Sequence, residues 1–412
     1  MRQSILFGKT QKQAPRGEVS TNAQLLIRGG FIDKVAAGIY SYLPLGLRVL
    51  NNIQQIIREE MIAIGAQEVL LPALHPKEPW EATGRWSDPG SKVMYQFDGH
   101  GGPFGLGWTH EELITPLVQK YVRSYRDLPV ALFQIQDKFR NESRAKSGLL
   151  RGREFSMKDL YSFHRNMEDL DAYYARAIAA YKNIFNRCGL DALVVEASGG
   201  AFSKYSHEFQ VPTDSGEDII FSCASCDMHQ NKEVVADIAC PSCGKPRKEL
   251  KGIEVGNIFK LGTRFTQAVN FTYTNEQGEA QPVLMGCYGI GPSRVLGAVA
   301  EVQHTAKGLR WPDTLAPFAV HILGAGKDTK KIEMKMLELY ALLTQAGVAV
   351  LMDDRPGLSY GEHMADADLI GLPHRIIVGE KHLHENKVEY TSLAEAKTTP
   401  MPFDDVVGML RK

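Results

Sequence analysis

Residues 139–164 read FRNESRAKSGLLRGREFSMKDLYSFH, and the two halves of this stretch carry different information. The second half, Phe155 to Phe163, alternates apolar with polar residues and is rich in aromatics, the pattern of a strand. Val130 to Ile135 and Ala268 to Tyr273 carry the same signal, which predicts an antiparallel sheet. The first half is charged. From Lys138 to Glu154, six basic residues (Lys138, Arg140, Arg144, Lys146, Arg151, Arg153) face two acidic ones (Glu142, Glu154), a local excess of four. Arginine stays charged at any working pH and presents a planar fork matched to phosphate oxygens, so the excess suits phosphate binding. Phe155, four residues after Arg151, suits stacking on a flat base. A solvated charged face is the other reading of the same residues.

Outward from this stretch, helices flank the predicted sheet. From Gly46 to Ile64, apolar residues recur as Leu50, Ile53, Ile57, Met61 and Ile64, one helical face, with Gly65 as a C-terminal stop and a short strand at Val69 to Leu71 before Pro72. A second amphipathic helix spans Met167 to Cys188, with Leu170, Tyr174, Ile178, Tyr181 and Phe185 inward and Gly189 ending it. After Trp311-Pro312 the pattern changes. Strand at Phe318 to Leu323, helix at Lys330 to Gln345, strand at Val348 to Met352, helix at Tyr360 to Ile370 and strand at His374 to Val378 predict a separate α/β domain. There is no internal repeat and no low-complexity segment.

Composition sets broad limits. With 412 residues, 44% hydrophobic and 23% charged, the chain can build two or three cores and is neither disordered nor fibrous. Met1 to Gly17 lacks an apolar core, and no later apolar run is long enough to cross a bilayer, so a cytoplasmic location is the default expectation. The net charge of -1 leaves any nucleic-acid contact to local basic patches.

Three further constellations stand out. Gly286-Cys287-Tyr288-Gly289-Ile290-Gly291-Pro292-Ser293-Arg294 opens a predicted helix, Val295 to Glu301. Its glycines let backbone approach a ligand, and Arg294 adds charge where the helix dipole already favours anions; a tight strand-to-helix turn is the alternative. Trp108-Thr109-His110-Glu111-Glu112 places a hydroxyl, an imidazole and two carboxylates before an apolar helix. Thr109 with Glu112 also fits a capping box, whereas a carboxylate in a pocket would suit an ammonium-bearing substrate. Four of the six cysteines form Cys223-x-x-Cys226 and Cys240-x-x-Cys243, thirteen residues apart, the spacing of a structural zinc site. A four-thiolate site is closed and leaves no position for catalysis, so it reads as a staple for a small insertion. Unligated thiols, or His229 as a substitute ligand, are the alternatives, and Cys188 and Cys287 read as core filler.

In this order the pieces resemble the three signature motifs of the class II aminoacyl-tRNA synthetases. The helix from Gly46 leading through Val69-Leu70-Leu71 to Pro72 resembles the first motif, Phe139-Arg140-Asn141-Glu142 with Arg151, Phe155 and Asp159 the second, and Gly286 to Arg294 the third. Finer matches resemble the prolyl-tRNA synthetases of the bacterial and organellar type. They are Pro44-Leu45-Gly46, Trp80 with Gly84-Arg85-Trp86, Thr109-His110-Glu111-Glu112, Arg151 to Phe155 continuing through Met157-Lys158-Asp159 to His164, Ser206-His207-Glu208-Phe209, and Asp353-Asp354-Arg355 to Gly371. The resemblance implies an α+β fold. A class II catalytic domain over residues 1–312 (an antiparallel sheet flanked by helices) would be interrupted at 215–252 by a small four-cysteine, zinc-ribbon-like insertion, and followed over 313–412 by an α/β anticodon-binding domain. Two departures stand out: the short insertion replaces the family's large editing domain, and Asn257 stands where histidine is expected.

The implied activity is ATP-dependent activation of L-proline to prolyl-adenylate and transfer to tRNA(Pro), with Mg²⁺ accompanying ATP and a structural Zn²⁺ on Cys223, Cys226, Cys240 and Cys243. Arg140 and Arg294 are the implied catalytic residues. Arg140, Glu142, Arg151, Phe155 and Arg294 would bind ATP; Thr109, Glu111, Arg140 and His207 would bind proline; Arg355 would touch RNA. A homodimer through the helix and strand of the first motif is implied as well, with no membrane partner. A synthetase for threonine or serine, or a non-catalytic synthetase-like tRNA-binding protein, is the alternative; the first lacks support in the Thr109 to Glu112 loop, and the second would be expected to have lost Arg140, Arg151, Arg294 or the glycine-rich motif.

Overall fold

The structure is a computed structural model that describes residues 1–200, 202–203 and 205–411. The chain forms two compact units: residues 36–39 with 53–298, and residues 1–35, 40–52 and 299–412.

The larger unit is built on a nine-stranded sheet. In chain order its strands are β1 (Gln67–Glu68), β2 (Val130–Phe139), β3 (Glu154–His164), β4 (Leu193–Ser198), β5 (Tyr205–Pro212), β6 (Asp218–Cys223), β7 (Met228–Asn231), β8 (Lys248–Gly262) and β9 (Leu284–Ile290). Their spatial order is β5-β4-β7-β6-β8-β9-β3-β2-β1, with β5 also pairing β8. The central pairs β2–β3, β3–β9, β9–β8 and β8–β5 are antiparallel, as the alternation predicted. β8 is long enough to serve three partners: Lys248–Gly252 pairs β6, and the remainder pairs β5 and β9. The cysteine-bearing insertion is therefore an outgrowth of the main sheet rather than a detached loop.

Two long helices, α1 (Pro44–Ala63) and α3 (Met167–Arg187), accompany the sheet; between them α2 (Glu111–Gln119) follows the Thr109 loop. Asn166 caps α3 by accepting from the Asp169 N–H, and Gly189, at φ 73°, ends it where a side chain would be strained. Its apolar face buries Leu170, Tyr174, Tyr181 and Phe185, and the rings of Tyr181 and Phe185 lie 4.9 and 5.4 Å from Phe209 of β5. Each such ring removed from water stabilises the fold by about 1.5–3 kcal/mol. Lys158 of β3 points to the same side, bonding the Tyr181 hydroxyl and the Tyr288 carbonyl (3.0 Å), so α3 covers one sheet face and leaves the other for a site.

Two local expectations change. The strand predicted at Val69 to Leu71 lies instead at Gln67–Glu68, although the Val69 N–H still donates to the Phe133 carbonyl at 2.8 Å; the Leu71 N–H turns to the Gln134 side chain. Ala268 to Tyr273 is not a sheet strand. Arg264–Ala268 is a helical turn, Asn270 takes a positive φ of 51°, and Thr272–Thr274 pairs with Ala280–Pro282 in a separate ribbon. A left-handed residue in the middle breaks the extended chain that alternation and aromatic content suggested.

In the smaller unit a five-stranded sheet has the order β11-β10-β12-β13-β14, from β10 (Val320–Ala325), β11 (Val350–Met352), β12 (His374–Gly379), β13 (Lys387–Ser392) and β14 (Lys397–Pro402). Helix Thr329–Gln345 packs Ile332, Met336, Leu339 and Leu343 against it, in a core with Val320, Ile322, Ile376 and Val378. The expected alternation of strands and helices is present. Arg355 is ion-paired within this unit: its Nε and Nη2 donate to Asp353 at 2.8 and 2.6 Å, a bidentate pair, and its Nη1 donates to Asp366 at 2.7 Å.

Candidate active site

The uncovered sheet face holds a cavity of about 330 Å³. Because side chains alternate along a strand, β3 offers Phe155, Met157 and Asp159 to it, β9 offers Cys287 and Gly289, and β8 offers Asn257 and Phe259. The glycines of the third constellation have separate reasons. A Cβ on Gly286 would lie 2.3 Å from the Tyr288 hydroxyl, so that glycine serves packing; a Cβ on Gly289 would meet nothing closer than 3.7 Å, so that glycine leaves the cavity floor open.

At one end three arginines converge. Arg140, Arg151 and Arg294 all line the cavity with Glu142 and Phe155, although the sequence separates them widely. Arg140 directly follows β2, with its guanidinium 5.1 Å from the centroid of the Phe155 ring, its Nη2 donating to the Trp108 carbonyl at 3.4 Å and its buried Nε without a partner among the described residues. Arg294 stands in the first turn of α4 (Pro292–Val302), where Nη1 donates to the carboxylate and carbonyl of Glu254, both at 3.0 Å. Arg151 lies between Glu142 (3.9 Å) and Glu217 (3.4 Å). Burial, followed by the nearby Arg294, lowers the proton affinity of Arg140: two guanidiniums share one cavity, which a polyanion between them would relieve. Glu254 gave no sequence signal, being one of two acidic residues within a long strand.

At the other end lies Thr109. Its hydroxyl donates to the Glu111 carboxylate, and Thr109, not Glu111, reaches the cavity wall. Glu111 is fully buried, held by Arg85 at 3.1 Å and by the Cys287 thiol at 3.4 Å. Arg85 also bonds Glu112 at 2.9 Å and lies 4.2 Å from the Trp108 ring, with both side-chain partners at 3% exposure or less. Burial, then the competing Arg85 and Glu111 charges, pushes Glu112 up to about 7. Asp159 on the floor is held below the usual carboxylate range: burial opposes ionisation, but Lys138 and His110 outweigh it. Behind the Thr109 loop, His75 and His110 sit 3.3 Å apart at Nε2, and burial lowers them to about 3 and about 4. None of these cross-strand pairings has a local sequence signature.

His207 is placed elsewhere. On β5 the residues alternate, so Glu208 faces Asn257 on the cavity side while His207 turns to the opposite face, where its Nδ1 lies 2.8 Å from the Tyr174 hydroxyl of α3. The family resemblance implied a proline contact for His207, but the pleat turns its side chain towards α3.

The four cysteines come together as their spacing predicted, with all Sγ atoms within 4.8 Å of one another and no disulfide among them. The separations of 3.5 Å (Cys223–Cys243), 3.4 Å (Cys226–Cys240) and 3.7 Å (Cys226–Cys243) approach the ~3.8 Å edge of a tetrahedron with ~2.3 Å metal–sulfur bonds, so the donor set fits Zn²⁺. His229 bonds Ser222 and Asp227 instead.

Comparison with known proteins agrees with this architecture. Residues 95–303 match the tRNA synthetase class II core domain (G, H, P, S and T), and residues 319–412 match the anticodon binding domain. A proline–tRNA ligase of Moorella thermoacetica is 33% identical over 563 positions, covering 100% of this chain and 98% of that protein. The Bacillus subtilis proline–tRNA ligase is 35% identical over 565 positions, covering 100% of both. Since this chain has 412 residues, the first alignment includes at least 151 positions of the relative with no counterpart here. Among solved structures, Giardia lamblia prolyl-tRNA synthetase in complex with prolyl-adenylate superposes with a TM-score of 0.77 at 20% identity, over 94% of this chain and 75% of that one. The chain belongs to the proline–tRNA ligases, a family built here on a class II tRNA synthetase core with an anticodon-binding domain appended.

Proposed function

We propose that the protein activates L-proline with ATP and transfers it to tRNA(Pro), releasing diphosphate in the first step and AMP in the second. The observation that carries this reading is the convergence of Arg140, Arg151 and Arg294 on one cavity with the Phe155 ring. In the first step a proline carboxylate oxygen attacks the α-phosphorus of ATP and the bond to the bridging oxygen of diphosphate breaks. Both reactants are anions, so the protein's task is positioning and charge neutralisation. Arg140 would bridge the carboxylate and α-phosphate, Arg294 and Arg151 would take the distal phosphates, and Phe155 with Glu142 would hold the adenine. ATP would enter as its magnesium complex, with Glu217, Asp218 and Glu254 edging the distal-phosphate side as hard oxygen donors. Thr109 would accept from the proline ammonium, with Glu111 behind it supplying the compensating charge. In the second step a ribose hydroxyl of the terminal adenosine attacks the acyl carbon and AMP leaves, while residues 313–412 would read the anticodon as exposed bases.

The catalytic domain would span residues 1–312, with the 215–252 insertion stapled by Zn²⁺ on its four cysteines. Exposed apolar side chains at Ile62 (58%) and Leu70 (74%), at the end of α1 and just after β1, support a homodimer through this region. Among the described residues no helix is long and apolar enough to cross a membrane. Kinship with the bacterial proline–tRNA ligases supports our placing the enzyme in the cytoplasm. The test is proline-dependent exchange of labelled diphosphate into ATP. Exchange with proline and not with threonine or serine is expected, falling about 10²–10³-fold in Arg140→Ala, the usual loss for one donor at developing charge. Exchange driven by another amino acid alone would overturn the substrate, and none at all would favour a non-catalytic RNA-binding protein.

A further inference from the structure

The strand register places four residues in one row across the sheet: Asp159 of β3 opposite Gly289 of β9, Gly289 opposite Asn257 of β8, and Asn257 opposite Glu208 of β5. This row crosses the middle of the cavity floor. Phe155 and Arg294 lie to one side of it, and Cys287 and Thr109 to the other. Gly289 contributes no side chain, so the space beside Asn257 stays open.

Asn257 is oriented by Glu208. One Glu208 oxygen, Oε2, accepts from Gln210 (2.9 Å) and Asn231 (3.1 Å), and the other, Oε1, faces the Asn257 Nδ2 at 3.5 Å. With Glu208 ionised, as it is above its raised value of about 7, the reverse orientation would set the amide oxygen against a carboxylate, two acceptors in contact. The Asn257 Oδ1 is therefore turned from Glu208, and it is buried with no hydrogen-bond partner among the described residues. A buried acceptor left unpaired is costly, so the site calls for a donor from the ligand. Phosphates and a carboxylate only accept. Of the donors a nucleotide and an amino acid bring, the adenine amino group belongs at the Phe155 end and the ammonium at the Thr109 end. The ribose hydroxyls lie between them.

We propose that Asn257 is a nucleotide-positioning residue whose side-chain oxygen accepts from a ribose hydroxyl of ATP, with Glu208 fixing the orientation of its amide. This rests on the ATP-dependent reading above. The experiment measures kcat/KM for proline-dependent diphosphate exchange with ATP, 2′-deoxy-ATP and 3′-deoxy-ATP, in the wild type and in Asn257→Ala. Asn257→Ala is expected to lose about tenfold with ATP, the worth of one hydrogen bond. One of the two deoxynucleotides should cost the wild type a similar factor, and the two losses should not add, whereas the same deoxynucleotide should cost Arg140→Ala its full factor. An unaltered melting temperature for Asn257→Ala separates this from unfolding. Additive losses with both deoxynucleotides, or full activity of the variant, would overturn the proposal. Coupling confined to transfer onto tRNA ending in 2′-deoxyadenosine would also overturn it, assigning the contact to the tRNA. A wild type that shows no proline-dependent exchange would sink the activity itself, an outcome distinct from these.

Discussion

At the scale of single residues, charge is buried in a compensated form. Arg85 sits between Glu111 and Glu112 under a lid of aromatic rings, and its removal would leave two carboxylates facing each other out of water. Arg85→Met is expected to lower the stability of the larger unit by about 3–5 kcal/mol in urea unfolding, the usual cost of breaking a buried pair from one side. A loss under about 1 kcal/mol would mean that Glu111 and Glu112 are neutral or reached by water. His75 supplies a pH test. Its proton affinity in the fold is depressed to about 3, so its contribution is complete above the unfolded value of 6.5 and is lost as the pH falls towards 3. Relative to His75→Gln, the wild type should lose stability on acidification from pH 6.5 to 4, at up to about 1.4 kcal/mol per pH unit. Glu112 and Glu208, both raised to about 7, have the opposite sign, losing their contribution as pH rises from 4.5 through 7. They are present in both proteins and cancel in the comparison, and parallel pH curves would refute the assignment.

At the scale of elements, the insertion depends on its cysteines. The segment from β6 to the start of β8 has few apolar contacts of its own: Ile220 and Phe221 are buried, while Ile238 is 64% exposed. Four thiolates around one ion would provide what such a core cannot. Purified protein is expected to carry about one zinc per chain by elemental analysis. Cys240→Ser should carry far less and be cleaved by trypsin after Arg247 or Lys248 more rapidly. Full-length protein without zinc, equally resistant to trypsin, would show that the thiols pack without metal. β5 teaches a different lesson at this scale. His207 and Glu208 are adjacent in sequence, yet the pleat sends one to α3 and the other to the cavity side.

For the whole molecule, the contrast with relatives is one of length. The Moorella and Bacillus proteins align across this entire chain but carry over 150 further positions. The family resemblance implies an editing domain where this chain has its cysteine insertion. A cavity shaped for proline admits alanine, which forfeits only a few methylene contacts, about 1–3 kcal/mol or a 10–200-fold preference. The purified enzyme is expected to form alanyl-tRNA(Pro) that persists, at about 10–200-fold lower kcat/KM than with proline. Rapid hydrolysis of added alanyl-tRNA(Pro) by the enzyme alone would show an editing site elsewhere in the chain.

Much of this protein was legible in its residues taken in order. Periodicity marked α1, α3, β2, β3 and the alternating strands and helices of the smaller unit, because amphipathic spacing is a local property of the chain. The arginines and the cysteine pairs were legible too, since their chemistry follows from residue type and spacing. What sequence could not decide was which side of the sheet each polar residue faces and which charges meet. Glu254 with Arg294, Lys138 with Asp159, Arg85 with Glu111, and Asn257 with its unpaired oxygen are products of strand register and long-range burial. Register places residues far apart in the chain side by side, and a one-residue change in it would exchange the cavity face for the helix face.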